Sequence, residues 1–124
     1  KFTPERMEII KNNLRKVHHA GILVVAGTDT GVPGVLLGVS SQTELVLLVE
    51  AGLKVEDVLQ TATINAAKML GREREQGTIE TGKLADMVIL DADPLADITN
   101  IRRIHRVLKA GIFYDPAELL HTIK

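Results

Sequence analysis

Ile22-Leu23-Val24-Val25-Ala26-Gly27-Thr28-Asp29-Thr30-Gly31 is the stretch whose reading decides the fold. Its first five residues are apolar with no polar alternation, and Ile22, Val24 and Val25 are β-branched. A strand that is apolar on both sides belongs in a buried parallel sheet, so a strand is expected over residues 22–26. The run breaks at Gly27, and a carboxylate follows two residues later. In α/β folds the C-terminal ends of the parallel strands carry the ligand-binding and catalytic groups. Asp29 in that position can bind a metal through oxygen or act as a general base. An Asx turn or a helix N-cap accounts for the same residue equally well.

On the N-terminal side a helix is expected. Thr3 suits its N-cap, Pro4 its first position, and Glu5 the positive end of its dipole. Met7, Ile10, Leu14 and Val17 form an apolar stripe at helical spacing, and Gly21 closes it. On the C-terminal side, residues 30–41 read as a loop with Gly31-Val32-Pro33-Gly34 as a lid or a plain connection. A helix is expected from about Gln42 to Ala51, with Leu45, Leu48 and Val49 on one face and Gly52 as its stop. Residues 54–62 and 63–70 read as a helical pair closed by Gly71. Helix, buried strand and helices in that order indicate an α/β layer.

Beyond Gly71 the pattern changes to short strands and turns. Arg72-Glu73-Arg74-Glu75 is a charged connector, a strand is expected to start at Gly77-Thr78-Ile79, and Glu80-Thr81-Gly82-Lys83 has turn chemistry. Ala85 to Leu90 reads as a second strand. Ile104 to Leu108 and Ile112 to Tyr114 flank Ala110-Gly111 as a tight hairpin. A short helix over residues 116–123 ends the chain. Residues 86–97 carry four acids and no base, and residues 102–109 carry four bases and no acid, so these two blocks are candidates to pair with each other.

Composition narrows the function classes. The chain has 124 residues and is 45% hydrophobic, enough for one domain with a core. With 15 Lys plus Arg against 16 Asp plus Glu, the net charge is -1, so neither a nucleic acid nor an anionic membrane finds an electrostatic footprint. There are no cysteines, which excludes disulfides and thiolate metal sites. No apolar run reaches the ~18 residues of a membrane span. No signal peptide is evident, and a cytoplasmic location is expected. The sequence starts at Lys1 rather than Met, and Lys1 reads as an internal residue of something longer.

The histidines are weaker candidates than Asp29. On a helix the rings of His18 and His19 point about 100° apart and do not easily share one metal. His105 and His121 read as surface residues. No His-x-His or His-Glu-x-x-His pair is present, and catalytic zinc normally takes three protein ligands. Glu50, Glu56 and Asp57 read as solvated helix positions, and Asn65 as a residue that packs or, less commonly, hydrogen-bonds a neighbouring loop.

Three segments in fixed order carry a family resemblance: ILVVAGTDTG at 22–31, ELVLLVEAGLKVEDVLQTATINAAKMLG at 44–71, and GTIETGKLADMVILDAD at 77–93, followed by the hairpin at Lys109-Ala110-Gly111. Together they resemble the C-terminal third of the metal-dependent amidohydrolase superfamily, in its imidazolonepropionase and Xaa-Pro dipeptidase (prolidase-like) branch. The resemblance implies the C-terminal part of a (β/α)8 barrel plus strands of a small composite β-sandwich. Residues 1–71 would supply the last helix-strand-helix part of the barrel, and residues 72–124 the sandwich strands and the terminal helix. Asp29 matches the aspartate that in the family binds a metal and takes a proton from the metal-bound water. Thr30 and Gly31 would then belong to the substrate loop. The resemblance also implies a divalent metal, zinc first, in the complete enzyme, and a small amide or dipeptide substrate split at a C–N bond. The family's His-x-His and the ligands of its middle strands have no match in this sequence, and Leu37-Gly38 stands where many relatives carry His-Gly. Alone, the chain is therefore expected to bind no metal stably and to be inactive. A non-catalytic α/β scaffold and one half of a split enzyme are the other readings. The apolar strand at 22–26 would have two unpaired edges, so self-association through exposed barrel edges is expected.

Overall fold

The computed structural model describes residues 3–122. Five α-helices are present among them: α1 (Pro4–His19), α2 (Val39–Glu50), α3 (Val55–Thr61), α4 (Ile64–Met69) and α5 (Pro116–Thr122). A 3-10 helix spans Ile98–Arg102. Three strands, β1 (Met87–Leu90), β2 (Ile104–Lys109) and β3 (Ile112–Tyr114), form one antiparallel sheet in the order β1-β2-β3. The chain is thus a mixed α/β structure.

α1 begins as its residues dictate. The Thr3 side chain accepts a hydrogen bond from the Arg6 amide, and Pro4 occupies the first turn. Its apolar stripe is less buried than the spacing suggests. Leu14 packs on the core, but Met7, Ile10 and Val17 are exposed, and no residue of α1 is buried. Polar contacts fasten α1 instead: Arg15 donates to the Ala51 carbonyl at 2.8 Å, and His18 lies 3.5 Å from Asp57.

The stretch 22–26 is not a strand. Among the described residues it has no neighbouring strand, and a strand exists only through the ladder it shares. Its backbone partners come from the helices beside it. Ala26 N–H donates to the Thr61 carbonyl at 3.1 Å, and the Asn65 side-chain amide donates to the Val24 carbonyl at 3.0 Å. Asn65 is therefore a hydrogen-bonding residue rather than simple packing.

α2 starts three residues before the expected Gln42. Gly38, with φ 76, turns the chain into it, and the Ser40 hydroxyl accepts from the Leu36 amide just ahead of its first turn. Gly21, Gly52 and Gly71 follow the helices where expected. The core joins Leu48 of α2, Leu53, Val58 of α3, and Ile98 and Ile101 of the 3-10 helix, with Leu45 and Val49 packed against it. Val58 is fully buried.

In the second half, β1 pairs with β2 from Met87↔Leu108 to Leu90↔Ile104, with a bulge after Ile89. Ala110 (φ 50) and Gly111 (φ 79) turn β2 into β3, the double positive φ of a type I′ hairpin. The two charge blocks do meet: Lys109 pairs with Asp86, and His105 lies 3.0 Å from Asp91. Hydrogen bonds from Lys109 and from the Ala110 amide hold the Asp86 carboxyl below the usual carboxylate range. The expected strand at Gly77-Thr78-Ile79 is absent; Gly77 has φ 98 and presses against α4, and Ile79 is 85% exposed. The helix end expected at Ile123 lies outside the described residues.

Candidate functional site

Asp29 stands at the end of the apolar run with φ 50, in the left-handed region that few non-glycine residues enter. Aspartate tolerates it better than most because its short side chain can bond locally. Here it does not: no hydrogen bond or ion pair from the described residues engages its carboxylate. Neither of the structural roles that compete for Asp29 is taken up. It makes no Asx-turn contact, and the next helix is entered through Gly38. The side chain is exposed. Around it the Thr28 and Thr30 hydroxyls share a 2.8 Å hydrogen bond, and Thr30 forms an isolated bridge with Val32 across Gly31. Asp29, Thr30 and Gly31 thus make one exposed turn.

The other sequence candidates lie elsewhere. His18 faces Asp57 at the end of α1, its ring 6.1 Å from that of His19, and His105 faces Asp91 beside the sheet. Asp57 is engaged rather than simply solvated. The side chain of His121 is outside the described residues. Among the described residues no three His, Cys, Asp or Glu side chains are grouped to hold a metal ion. The carboxylate of Asp29 fits a divalent cation as one oxygen ligand, and the described residues do not complete the set.

A large cleft of about 870 Å³ opens between the helices and the sheet. Gly27 and Thr28, just ahead of Asp29, line one end, and Met87, Val88 and Leu90 of β1 line the other side. Glu44 of α2 also lines it, and burial pushes its carboxyl above the ordinary range. The sequence carries a signal for Glu44: it sits one turn before the buried Leu48, on the apolar face of α2. No helix among the described residues is long and apolar enough to cross a membrane.

Comparison with known proteins gives this geometry its context. The chain is 37% identical over 108 residues to an imidazolonepropionase of Shouchella clausii, covering 80% of this chain and 23% of that one. A Xaa-Pro dipeptidase structure with methionine bound in its active site matches 86% of this chain and 25% of its own, with a TM-score of 0.76 at 34% identity. The structure of phenylurea hydrolase B matches 91% of this chain and 28% of its own, with a TM-score of 0.76 at 33% identity. The chain therefore spans about a quarter of the length of these relatives. Residues 6–113, which hold the Asp29 turn, the cleft and all of the sheet but Tyr114, match the model of the amidohydrolase family. A match over so much of the sequence, in register with solved folds of the same kind, means that the chain belongs to the amidohydrolase family.

Proposed function

We propose that this chain is the part of a metal-dependent amidohydrolase that brings Asp29 to a site hydrolysing a C–N bond in a small cyclic amide or dipeptide. The observation that carries the reading is the exposed, left-handed Asp29, whose carboxylate is unengaged at the end of an apolar run inside the family match. A strained residue with an unspent polar group is more economically explained by a ligand than by local structure. In this reading Asp29 has two roles, as metal ligand and as proton acceptor at a carboxylate oxygen. Thr30 and Gly31 shape the substrate loop beside it. Residues 1–71 are the last helix-strand-helix part of a (β/α)8 barrel, and residues 72–124 belong to a small β-sandwich. The remaining ligands come from outside these 124 residues, and the chain alone is inactive.

The cation, zinc first, would supply Lewis acidity and lower the pKa of bound water toward ~7. Everything else asked of this chain concerns position. Asn65 and Thr61 hold the backbone of the run that ends at Asp29, and the Thr28–Thr30 hydroxyl pair braces the turn. The test is a chimera in which this chain replaces the matching segment of the Shouchella clausii imidazolonepropionase. The chimera is expected to hydrolyse its substrate, and Asp29→Asn in it is expected to lose about 10²–10⁴-fold in kcat, the usual worth of a positioned base. A chimera that works equally well with Asn at this position refutes the assignment of Asp29.

A further inference from the structure

Lys83 keeps its side chain only 12% exposed, against 50% for Arg72 and 68% for Lys109 in their own ion pairs. A cation so far out of water is costly unless acceptors meet it. Three do: the Glu73 carbonyl at 2.8 Å, the Thr78 hydroxyl, and the Glu80 carboxylate at 3.4 Å. An ammonium has three protons to donate, so the set is complete. The Thr78 hydroxyl accepts from Lys83 and keeps its own proton for Glu80. That bond first, and the charge of Lys83 second, hold the Glu80 carboxyl below the ordinary range. All three acceptors belong to the segment that follows α4. The Leu84 amide closes this segment further by donating to the Glu75 carbonyl at 2.8 Å.

The closed segment meets α4 at two points. The Arg72 amide donates to the Ala67 carbonyl at 2.8 Å, and Gly77, next to Thr78, lies so close to Ile64 and Ala67 that a Cβ has no room. α4 needs such support. It has six residues and no side-chain cap at Thr63, and so short a helix does not hold itself. Yet α4 carries Asn65, whose side-chain amide bonds the Val24 carbonyl in the run that leads to Asp29. We propose that Lys83 is a positioning residue for the Asp29 turn: its ammonium seats Gly77 on α4, α4 holds Asn65, and Asn65 holds the run. For activity this rests on the reading of Asp29 as a metal ligand. For the position of the turn it does not, and the experiment reads the turn.

The chain has no cysteine, so Lys83→Cys can be alkylated at that one sulfur, in urea before refolding. Bromoethylamine rebuilds an ammonium at the length of lysine, and iodopropane builds a side chain of the same length that ends in a methyl group. In the propyl form the Ala26 amide is expected to exchange about two- to tenfold faster than in the unaltered chain, the worth of one weakened hydrogen bond. The Asn65 side-chain amide signal is expected to move to the position of a free amide, while the Val58 amide in the core keeps its rate. The aminoethyl form is expected to restore Ala26 and Asn65. If the propyl form does not refold, Thr78→Val, which leaves the ammonium and removes one acceptor, is read in the same way. Faster exchange at Leu84 with Ala26 and Asn65 unchanged means that Lys83 closes its own segment and nothing more, and overturns the proposal. So does equal quickening at Ala26 and Val58, the mark of a general loss of stability, and so does a change that the aminoethyl form fails to reverse. None of these results touches Asp29→Asn in the chimera, which tests the metal-ligand reading by itself.

Discussion

Asp29 and Gly77 both hold positive φ, for opposite reasons. Asp29 is exposed and does so with nothing local to compensate it. Gly77 does so because no other residue fits. At φ 98 an added Cβ would lie 2.8 Å from the Ala67 Cβ and 2.9 Å from the Ile64 Cα, both on α4. Neither neighbour can yield, since one is backbone and Ala67 is itself buried. Gly77→Ala is therefore expected to destabilise the chain by about 1–3 kcal/mol, the range for forcing extra volume into a packed site. Gly82 supplies the control, with φ 91 and open space around it. Gly82→Ala carries the backbone strain without the clash, so its urea midpoint should fall less. If the two substitutions lower the midpoint equally, the contact with α4 contributes nothing, and the argument for why the segment at 77–79 turns away from a strand fails with it.

Among the elements, the run at 22–26 shows what sequence can and cannot settle. Its apolar character was legible, as was the carboxylate at its end. Its strand pairing was not, because a ladder is a property of two segments and the second is not among these residues. Helix ends and the Ala110-Gly111 hairpin were legible for the reverse reason: caps and type I′ turns are set by residues within a few positions of each other. Glu44 was missed because a glutamate in a helix is usually solvated, and its partial burial shows only once the chain has folded around α2. Asn65, for which packing and a hydrogen bond to a neighbouring loop were both open, takes the second role and replaces one bond of the missing ladder. Asn65→Ala removes its hydrogen bond to Val24 and should loosen the run without unfolding the helices. A hydrogen bond contributes about 0.5–1.5 kcal/mol, so exchange of the Ala26 amide, bonded to Thr61, is expected to quicken about two- to tenfold. Unchanged exchange at Ala26 would mean that α4 does not hold the run in place.

At the scale of the whole molecule, the described residues bury only eight apolar side chains, five of them grouped around α2, α3 and the 3-10 helix. Many large apolar side chains stay in water, among them Ile9 and Ile10 on α1 and, directly after it, Ile22 (58% exposed) and Leu23. A chain that spans a quarter of its relatives' length leaves open the faces that longer chains of this fold have sequence to cover. Exposed apolar surface of this kind drives association, because each covered Å² of it returns about 25 cal/mol. The surface concerned is the start of the apolar run at Ile22 and Leu23, distinct from the residues lining the cleft beside β1. Light scattering at tens of micromolar is expected to give a mass above that of one chain. Placing a charge in the middle of the patch, Leu23→Asp, should shift the mass toward the monomer while circular dichroism stays unchanged, since Leu23 is not part of the core. A monomeric mass for the unaltered chain would mean that the exposed run at 22–23 is no interface, and the association expected from its apolar character would have to be abandoned.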